Sequence, residues 1–410
     1  MKAVVFRGIG DIRLEDVDDP KIQDPFDAIV RITSSAICGT DLHMIRGTMA
    51  GMIPGTILGH EGIGIVEEVG ESVRNIKAGD RVIIPSTIAC GYCAYCRSGY
   101  FAQCDNANPH GKRAGTAFFG GPGTTGPFHG LQAEYARVPY AHVGLVKIPE
   151  TVMDDDAILL SDIFPTGYFG ADNAEIKDGD IVAVYGCGPV GQFSIISAFL
   201  MGASRVIAID KVESRLEMAK KLGAEVINFN QEEPIEAILE LTGGIGTDRA
   251  IDAVGVDAEH AEDGPAEKQA KALKSEFKKE VKQVAPKTNK EGDNWEPGSA
   301  PSQAQIWSVQ GLAKAGTLSV IGVYPQLYNF FPMGEAMMKN LTIKAGNCNH
   351  RKYIPTLLEF VQSQVVSPSD VLSHVKPLSS VIEAYKEFDK RSEGWVKVEL
   401  KTETYAEHYV

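Results

Sequence analysis

Ile181-Val-Ala-Val-Tyr-Gly-Cys-Gly-Pro-Val-Gly191 is the stretch on which the reading of this chain turns. Five apolar residues run straight into Gly186-x-Gly188-x-x-Gly191, and an apolar helical run follows to Met201. Three glycines at this spacing are a weak signal alone; between a buried strand and a helix they mark a dinucleotide-binding turn. The first glycine permits the tight turn, the second lets a pyrophosphate approach the backbone, and the third lets helix and strand pack closely. Pro189 and Val190 open the helix, whose N-terminal amides and dipole favour an anion. The next apolar strand, Arg205–Ile209, ends in Asp210, nineteen residues beyond Gly191. A carboxylate there accepts hydrogen bonds from the adenosine ribose hydroxyls and repels a 2′-phosphate, so NAD is expected rather than NADP. Lys211 and Arg215, close by, weaken that preference.

The same texture extends outward. Apolar strands at Ile181–Tyr185, Arg205–Ile209, Glu225–Ile227 and Ala250–Val254 alternate with helical patterns ending near Gly202, Gly223 and Gly243. Such alternation predicts an α/β unit with a parallel sheet covered by helices. Before it, short β-rich runs (Ala28–Ile32, Gly64–Val69, Arg81–Ile84) punctuated by Gly, Pro and Asp predict an irregular β-rich domain, a partly open barrel. Residues 257–300 break the pattern: Lys, Glu, Asp, Pro and Asn dominate, with few large apolar residues before Trp295. A charged surface insertion, in part disordered, is expected there, with a helix over 262–284 at most. A helix over Gln303–Lys314, a strand over Thr317–Val323 and a closing strand over Trp395–Leu400 complete the reading. The expected organisation is a β-rich domain over 1–163, a dinucleotide-binding α/β domain over 164–325, and a last stretch over 326–410.

Composition narrows the function. A chain of 410 residues predicts two or three domains with a large core. Forty Lys plus Arg against 54 Asp plus Glu give a net charge of −14, which argues against nucleic acid or an anionic membrane as partner. Lys2 and Arg7 bracket only four apolar residues, and no run approaches the ~18 of a spanning helix, so a cytoplasmic location is expected.

Cysteines supply the metal signal. Cys90, Cys93, Cys96 and Cys104 fall within fifteen residues, while Cys38, Cys187 and Cys348 stand apart. Four thiolates at these short spacings suit tetrahedral zinc in a closed, structural site. Cys38-Gly-Thr40-Asp-Leu-His43 precedes Gly59-His60-Glu61 by about twenty residues. One Cys and one His are two zinc ligands, and a catalytic site needs a third; on composition Asp162, Glu61 and Cys104 are all available. Isolated residues of these types are otherwise buried or solvated: Thr40 reads as a turn hydroxyl, His43 as a solvated loop histidine, and Asp162 as a helix N-cap ahead of Pro165.

Gly59-His60-Glu61-x2-Gly64-x5-Gly70-x2-Val73 resembles the signature of zinc-containing medium-chain alcohol dehydrogenases. The four-cysteine lobe, Cys38–Asp41 and the Gly186–Gly191 turn fall in that family's order. Within it, Gln132-Ala-Glu-Tyr135, Val138-Pro-Tyr-Ala141 and Leu160–Tyr168 are similar to the glutathione-independent formaldehyde dehydrogenase branch, which carries Asp as third ligand. The resemblance implies a GroES-like catalytic domain over 1–163 with a structural zinc lobe at about 88–106, a doubly wound Rossmann domain over 164–325, a return to the catalytic domain over 326–410, two zinc ions per chain and NAD. It implies catalytic zinc on Cys38, His60 and Asp162, with Glu61 beside it or as a transient ligand, and structural zinc on Cys90, Cys93, Cys96 and Cys104. It further implies hydride transfer from formaldehyde hydrate or a short-chain alcohol to NAD. The proton would leave through Thr40, a cofactor ribose hydroxyl and His43, with Thr166 and Val323 near the nicotinamide. A polyol or threonine-type dehydrogenase is the alternative in the same class, and a non-catalytic NAD-binding protein the alternative from another. Relatives form homodimers or homotetramers through sheet edges of the cofactor domain. The chain departs from the family in its long insertion, in Gly39 where some relatives carry a basic residue, and in the tail 402–410, which matches nothing in it. The loop Gly115–Gly130, with Phe118, Phe119 and Phe128, is expected either to cover the substrate pocket or to lie as plain surface.

Overall fold

The protein, seen as a computed structural model that describes residues 1–126 and 128–403, places Ile181–Tyr185 centrally in a six-stranded sheet. The strand order is Glu225–Asn228, Arg205–Asp210, Ile181–Tyr185, Thr247–Asp252, Leu312–Val320, Thr342–Ala345, and every neighbouring pair is parallel. Counted along the chain this is 3-2-1-4-5-6, the doubly wound order, and strand direction of growth reverses between Ile181–Tyr185 and Thr247–Asp252. Both faces of these inner strands are covered, so their apolar runs are continuous rather than alternating. A crevice opens at the carboxyl ends of the two strands, where Tyr185 is registered against Asp252.

Seven further strands form the β-rich unit. Their order is His374–Pro377, Val398–Lys401, Ala28–Ile37, Gly62–Val69, Arg81–Ile84, Val146–Lys147, with Tyr135–Val138 also paired to Ala28–Ile37. Strand Ala28–Ile37 is ten residues long, and Cys38 follows directly at its carboxyl end. Residues 374–401 thus rejoin the unit begun at the N-terminus. No helix among the described residues is long and apolar enough to cross a membrane. Of the unmatched tail, 404–410 lie outside the described residues.

Three expectations need correction. The parallel sheet does not end by 325: Thr342–Ala345 pairs with Thr317–Val320 as its sixth strand. This edge strand is mostly exposed and carries one large apolar residue, Ile343, so it shows no buried run in the sequence. The helix expected to reach Lys314 stops at Gly311, and the chain passes directly into the strand Leu312–Val320.

The third correction concerns the insertion. Residues 257–300 are ordered against the body of the protein and in part belong to its core. The helix Glu267–Val284 buries Ala270, Phe277 and Val284, a stripe seven residues apart that its many lysines hide from a compositional reading. Its buried Glu280 accepts from the backbone and hydroxyl of Ser302 at 3.1 and 2.9 Å. Trp295, 1% exposed, sits in the apolar cluster of the β-rich unit with Val4, Phe6, Ile37, Leu42 and Tyr385. Its backbone N–H donates to Asp389 at 2.8 Å, and Asn294 donates to the same carboxylate. At the other end, buried Asp257 accepts from Arg46 Nη1 at 2.8 Å and from the Gly298 backbone at 3.0 Å. The insertion leaves the parallel sheet and is pinned into the neighbouring unit by one indole and one carboxylate.

Both pins are measurable. Trp295→Ala should destabilise the protein by about 3–5 kcal/mol in urea unfolding, as for a buried aromatic, whereas a surface tryptophan would cost under ~0.5. Burial opposes ionisation of Asp257, but Arg46 and His43 hold its carboxyl well below the usual range. Its stabilisation is therefore complete above the unfolded pKa of ~3.9 and fades as pH falls below it. The stability gap between the parent and Asp257→Asn should be widest at neutral pH and close below about pH 4. A gap independent of pH would contradict the assignment.

Candidate active site

Three separate segments bring four donors together. Cys38 follows strand Ala28–Ile37, His60 and Glu61 precede strand Gly62–Val69, and Asp162 precedes helix Ile163–Asn173. All four are buried, and one ligand atom of each lies within 4.8 Å of the others. Asp162 Oδ2 is 3.6 Å from Cys38 Sγ and 3.3 Å from His60 Nε2. The N-cap reading of Asp162 fails: the residue stands at the N-cap position, but its side chain caps nothing. Neither ring nitrogen of His60 has an aligned hydrogen-bond partner, and Glu61 Oε2 has none. Buried polar atoms left in this state are costly unless something else satisfies them.

The charges point the same way. Burial pushes the Cys38 thiol up, only partly opposed by His60. Burial works against charging His60, yet the neighbouring Asp41 and Cys38 raise its pKa well above the ordinary value. Burial also disfavours ionised Asp162, but contacts with His350 and His60 hold it well below the carboxylate range. A soft thiolate, an imidazole and a carboxylate in one buried cluster are a zinc donor set.

Cys90, Cys93, Cys96 and Cys104 form the second cluster, again within 4.8 Å of one another. Cys93 Sγ and Cys104 Sγ are 4.0 Å apart, close to the about 3.8 Å that four sulfurs take around tetrahedral zinc at ~2.3 Å. Backbone N–H groups of Cys90, Cys93 and Cys96 point at cluster sulfurs at 3.2, 3.4 and 3.4 Å, which favours thiolates. Both clusters therefore fit zinc.

The crevice fits a dinucleotide. Gly186 has φ +88°, a left-handed turn that a side chain would strain. A Cβ on Gly191 would lie 1.8 Å from the Gly186 carbonyl, so helix and turn meet only through glycine. A Cβ on Gly188 would meet Arg215 Nη1 at 3.9 Å, an ordinary contact. Asp210 accepts from the Cys187, Lys211 and Val212 backbone N–H groups at 2.7, 2.7 and 2.9 Å, which ties it to the glycine turn. A cavity of about 790 Å³ joins this crevice to the donor cluster. Cys38, Thr40, His43, His60, Asp162, Thr166, Gly186, Gly188, Pro189, Val190, Asp210, Arg215 and Val323 all line it. Gly191 and Glu61 do not: Gly191 is packed under the turn, and Glu61 lies behind His60, where Lys397 Nζ donates to it at 2.5 Å. Of the three phenylalanines in the glycine-rich loop, Phe118 lines the cavity edge-on to the His60 ring, whereas Phe119 and Phe128 pack into the core.

His43 departs from expectation. It sits in the helix Gly39–Arg46, not in a solvated loop, and is buried with Nδ1 2.8 Å from Asp257 Oδ2 and 3.1 Å from Thr48 Oγ1. Four residues around the site escaped the sequence reading. Asp41 Oδ2 accepts from the Cys38 N–H at 3.0 Å while Oδ1 lies 3.2 Å from His60 Nδ1. His350 Nε2 is 2.6 Å from Asp162 Oδ1, Lys397 balances Glu61, and Asp257 faces His43. His350, Lys397 and Asp257 are distant in sequence from the groups they support, and only for Asp41 was there a local signal, the helix register of Cys38-x-x-Asp41.

Comparison with known proteins agrees with this geometry. Residues 24–150 match the alcohol dehydrogenase GroES-like domain and residues 189–262 the zinc-binding dehydrogenase family. The chain is 41% identical over 405 residues to the uncharacterized zinc-type alcohol dehydrogenase-like protein AdhB of Bacillus subtilis, covering 98% of this chain and 100% of that one. It is 34% identical over 402 residues to the glutathione-independent formaldehyde dehydrogenase of Pseudomonas aeruginosa, covering 95% and 94%. Among solved structures it is similar to alcohol dehydrogenase TADH from Thermus sp. ATN1, with TM-score 0.78 and 32% identity over 98% of this chain and 100% of that one.

The Glu61–Lys397 pair is fully buried, so removing one partner strands the other charge. Lys397→Met should cost about 3–5 kcal/mol of stability, and Glu61→Gln added to it should restore most of the loss. Equal stability of the two variants in urea unfolding would contradict a coupled pair.

Proposed function

From the premise that the chain belongs to the zinc-containing medium-chain alcohol dehydrogenase family, an oxidoreductase family using zinc and a nicotinamide dinucleotide, we propose that it oxidises formaldehyde hydrate or a short-chain alcohol with NAD. The observation that carries the substrate reading is Asp162. In the position of the third donor stands a carboxylate that caps no backbone N–H of its helix and sets one oxygen toward Cys38 and His60. The same residue type links the chain to the formaldehyde branch, and the P. aeruginosa relative supports it. Asp210 at the end of the second strand favours NAD.

Cys38, His60 and Asp162 would hold the catalytic zinc, with Glu61 in reserve behind His60, and the four cysteines the structural ion. Bound there, zinc supplies polarisation that lowers the pKa of a substrate hydroxyl, and the nicotinamide supplies the hydride acceptor. The remaining task, moving one proton, falls to the chain. Thr40 lines the cavity with Oγ1 3.9 Å from Cys38 Sγ, and its hydroxyl can accept a proton while donating its own. His43 continues the path. Asp257, 2.8 Å from Nδ1, favours a proton on that nitrogen and leaves Nε2 as acceptor. Val323 and Thr166 border the same cavity where the two domains face each other. Thr87, Thr116, Phe118 and Cys348 wall the space near the donors, which suits a compact hydroxyl compound that needs no thiol adduct.

We propose, further, that copies associate through the cofactor sheet, in line with the homodimer or homotetramer expected. Among the described residues its edge strand Thr342–Ala345 is unpaired on one side, and its Ile343 is exposed, as are Met333, Met337 and Met338 of the preceding helix.

NADH appearance should be followed with zinc-replete protein, NAD, and either formaldehyde without glutathione or a short primary alcohol. A faster rate with formaldehyde is expected. Cys38→Ser should abolish turnover and leave NADH binding, read by fluorescence, nearly intact. Turnover of polyols or threonine alone would replace the substrate assignment, and turnover of nothing by the parent would favour a binding protein.

A further inference from the structure

We propose that His350 is a positioning residue that selects which oxygen of Asp162 faces the metal. His350 opens the helix His350–Gln362, almost two hundred residues beyond Asp162 and outside both matched family segments. Its Nε2 lies 2.6 Å from Asp162 Oδ1. Its Nδ1 lies 3.1 Å from Thr87 Oγ1, so with that hydroxyl donating to Nδ1 the ring donates to the carboxylate from Nε2. Thr166 Oγ1 donates to the same oxygen, Oδ1, at 3.2 Å. Both donors therefore fall on Oδ1, and Oδ2 is left toward Cys38 Sγ and His60 Nε2.

The carboxylate is thus divided: one oxygen belongs to the protein and one to the donor cluster. A carboxylate with both oxygens free can rotate or bind through both, while a fixed one presents a single lone pair in one direction. The imidazole is itself held. It is buried, and the preceding Asn349 accepts through Oδ1 from the Ala102 N–H at 2.9 Å, inside the four-cysteine lobe. Order in that lobe therefore reaches the catalytic donors through two consecutive residues of one helix start.

The inference rests on Asp162 being a zinc ligand, so the test separates the two claims. Zinc release to a chromophoric chelator is measured for the parent, His350→Ala, His350→Gln and Asp162→Ala, and the visible spectrum is recorded after cobalt replaces the catalytic zinc. His350→Ala should release the catalytic ion at a chelator concentration about 10–100-fold lower and alter the cobalt bands, while the four-cysteine ion stays. His350→Gln, which keeps a donor, should recover most of the affinity. Should His350→Ala not fold, His350→Gln against His350→Leu makes the same comparison of donor kept and donor lost. Parent-like release and cobalt bands in His350→Ala or His350→Leu, with the ion lost in Asp162→Ala, overturn the positioning role and leave the ligand assignment standing. Parent-like metal binding in Asp162→Ala overturns both.

Discussion

Burying Cys38, His60, Glu61 and Asp162 in one cluster is the constraint from which the rest of this structure follows. Three of the four ionise to anions, and Lys397, the buried lysine beside them, is already committed to Glu61. Desolvating unpaired charge costs several kcal/mol per ion, so the cluster is stable only with a dication or with its protons retained. The surrounding residues serve the first outcome. Asp41 fixes the helix start that carries Cys38, His350 holds Asp162, and both stand where they direct a donor inward rather than satisfy it. The orphaned nitrogens of His60 are the remaining sign.

The second feature of the molecule is how its two sheets are joined. The donors belong to the β-rich unit and the glycine turn to the parallel sheet, and chemistry requires them to share one cavity. Helix Ile163–Asn173 crosses from one to the other, with Phe164 stacked on Phe193 of the glycine-turn helix at 4.7 Å. The insertion makes a second crossing. It starts at the end of strand Thr247–Asp252, sets Asp257 against His43 and Arg46, and buries Trp295 beside Phe6 and Tyr385. Arg391 and Lys211 pair with Glu259 on the same face. A segment that composition marks as solvent-exposed thus supplies the carboxylate that faces His43 on the cavity wall.

What could be read from the sequence was what lies close together in it. The strand-turn-helix at 181–201, the four cysteines within fifteen residues and the His60-Glu61 pair are local patterns, and the structure keeps them in the geometry their spacing requires. Asp162 was legible only by resemblance, because nothing near it in sequence distinguishes a ligand from a cap. His350, Lys397 and Asp257 were not legible, since each gains its meaning from a partner more than a hundred residues away. The insertion misled for a different reason: one buried residue in seven, among lysines, is a stripe too narrow to stand out from composition. The sixth strand was missed because an exposed edge has no apolar run to detect.

The central claim is that three donors from three segments converge on one metal ion beside the dinucleotide crevice. A crystal structure with anomalous differences collected on both sides of the zinc absorption edge tests it most directly. The account predicts two zinc peaks per chain, one within the four cysteines and one bounded by Cys38, His60 and a single oxygen of Asp162 at ~2.0–2.2 Å. A peak in the cysteine lobe alone, or a second peak that Asp162 does not touch, would contradict it.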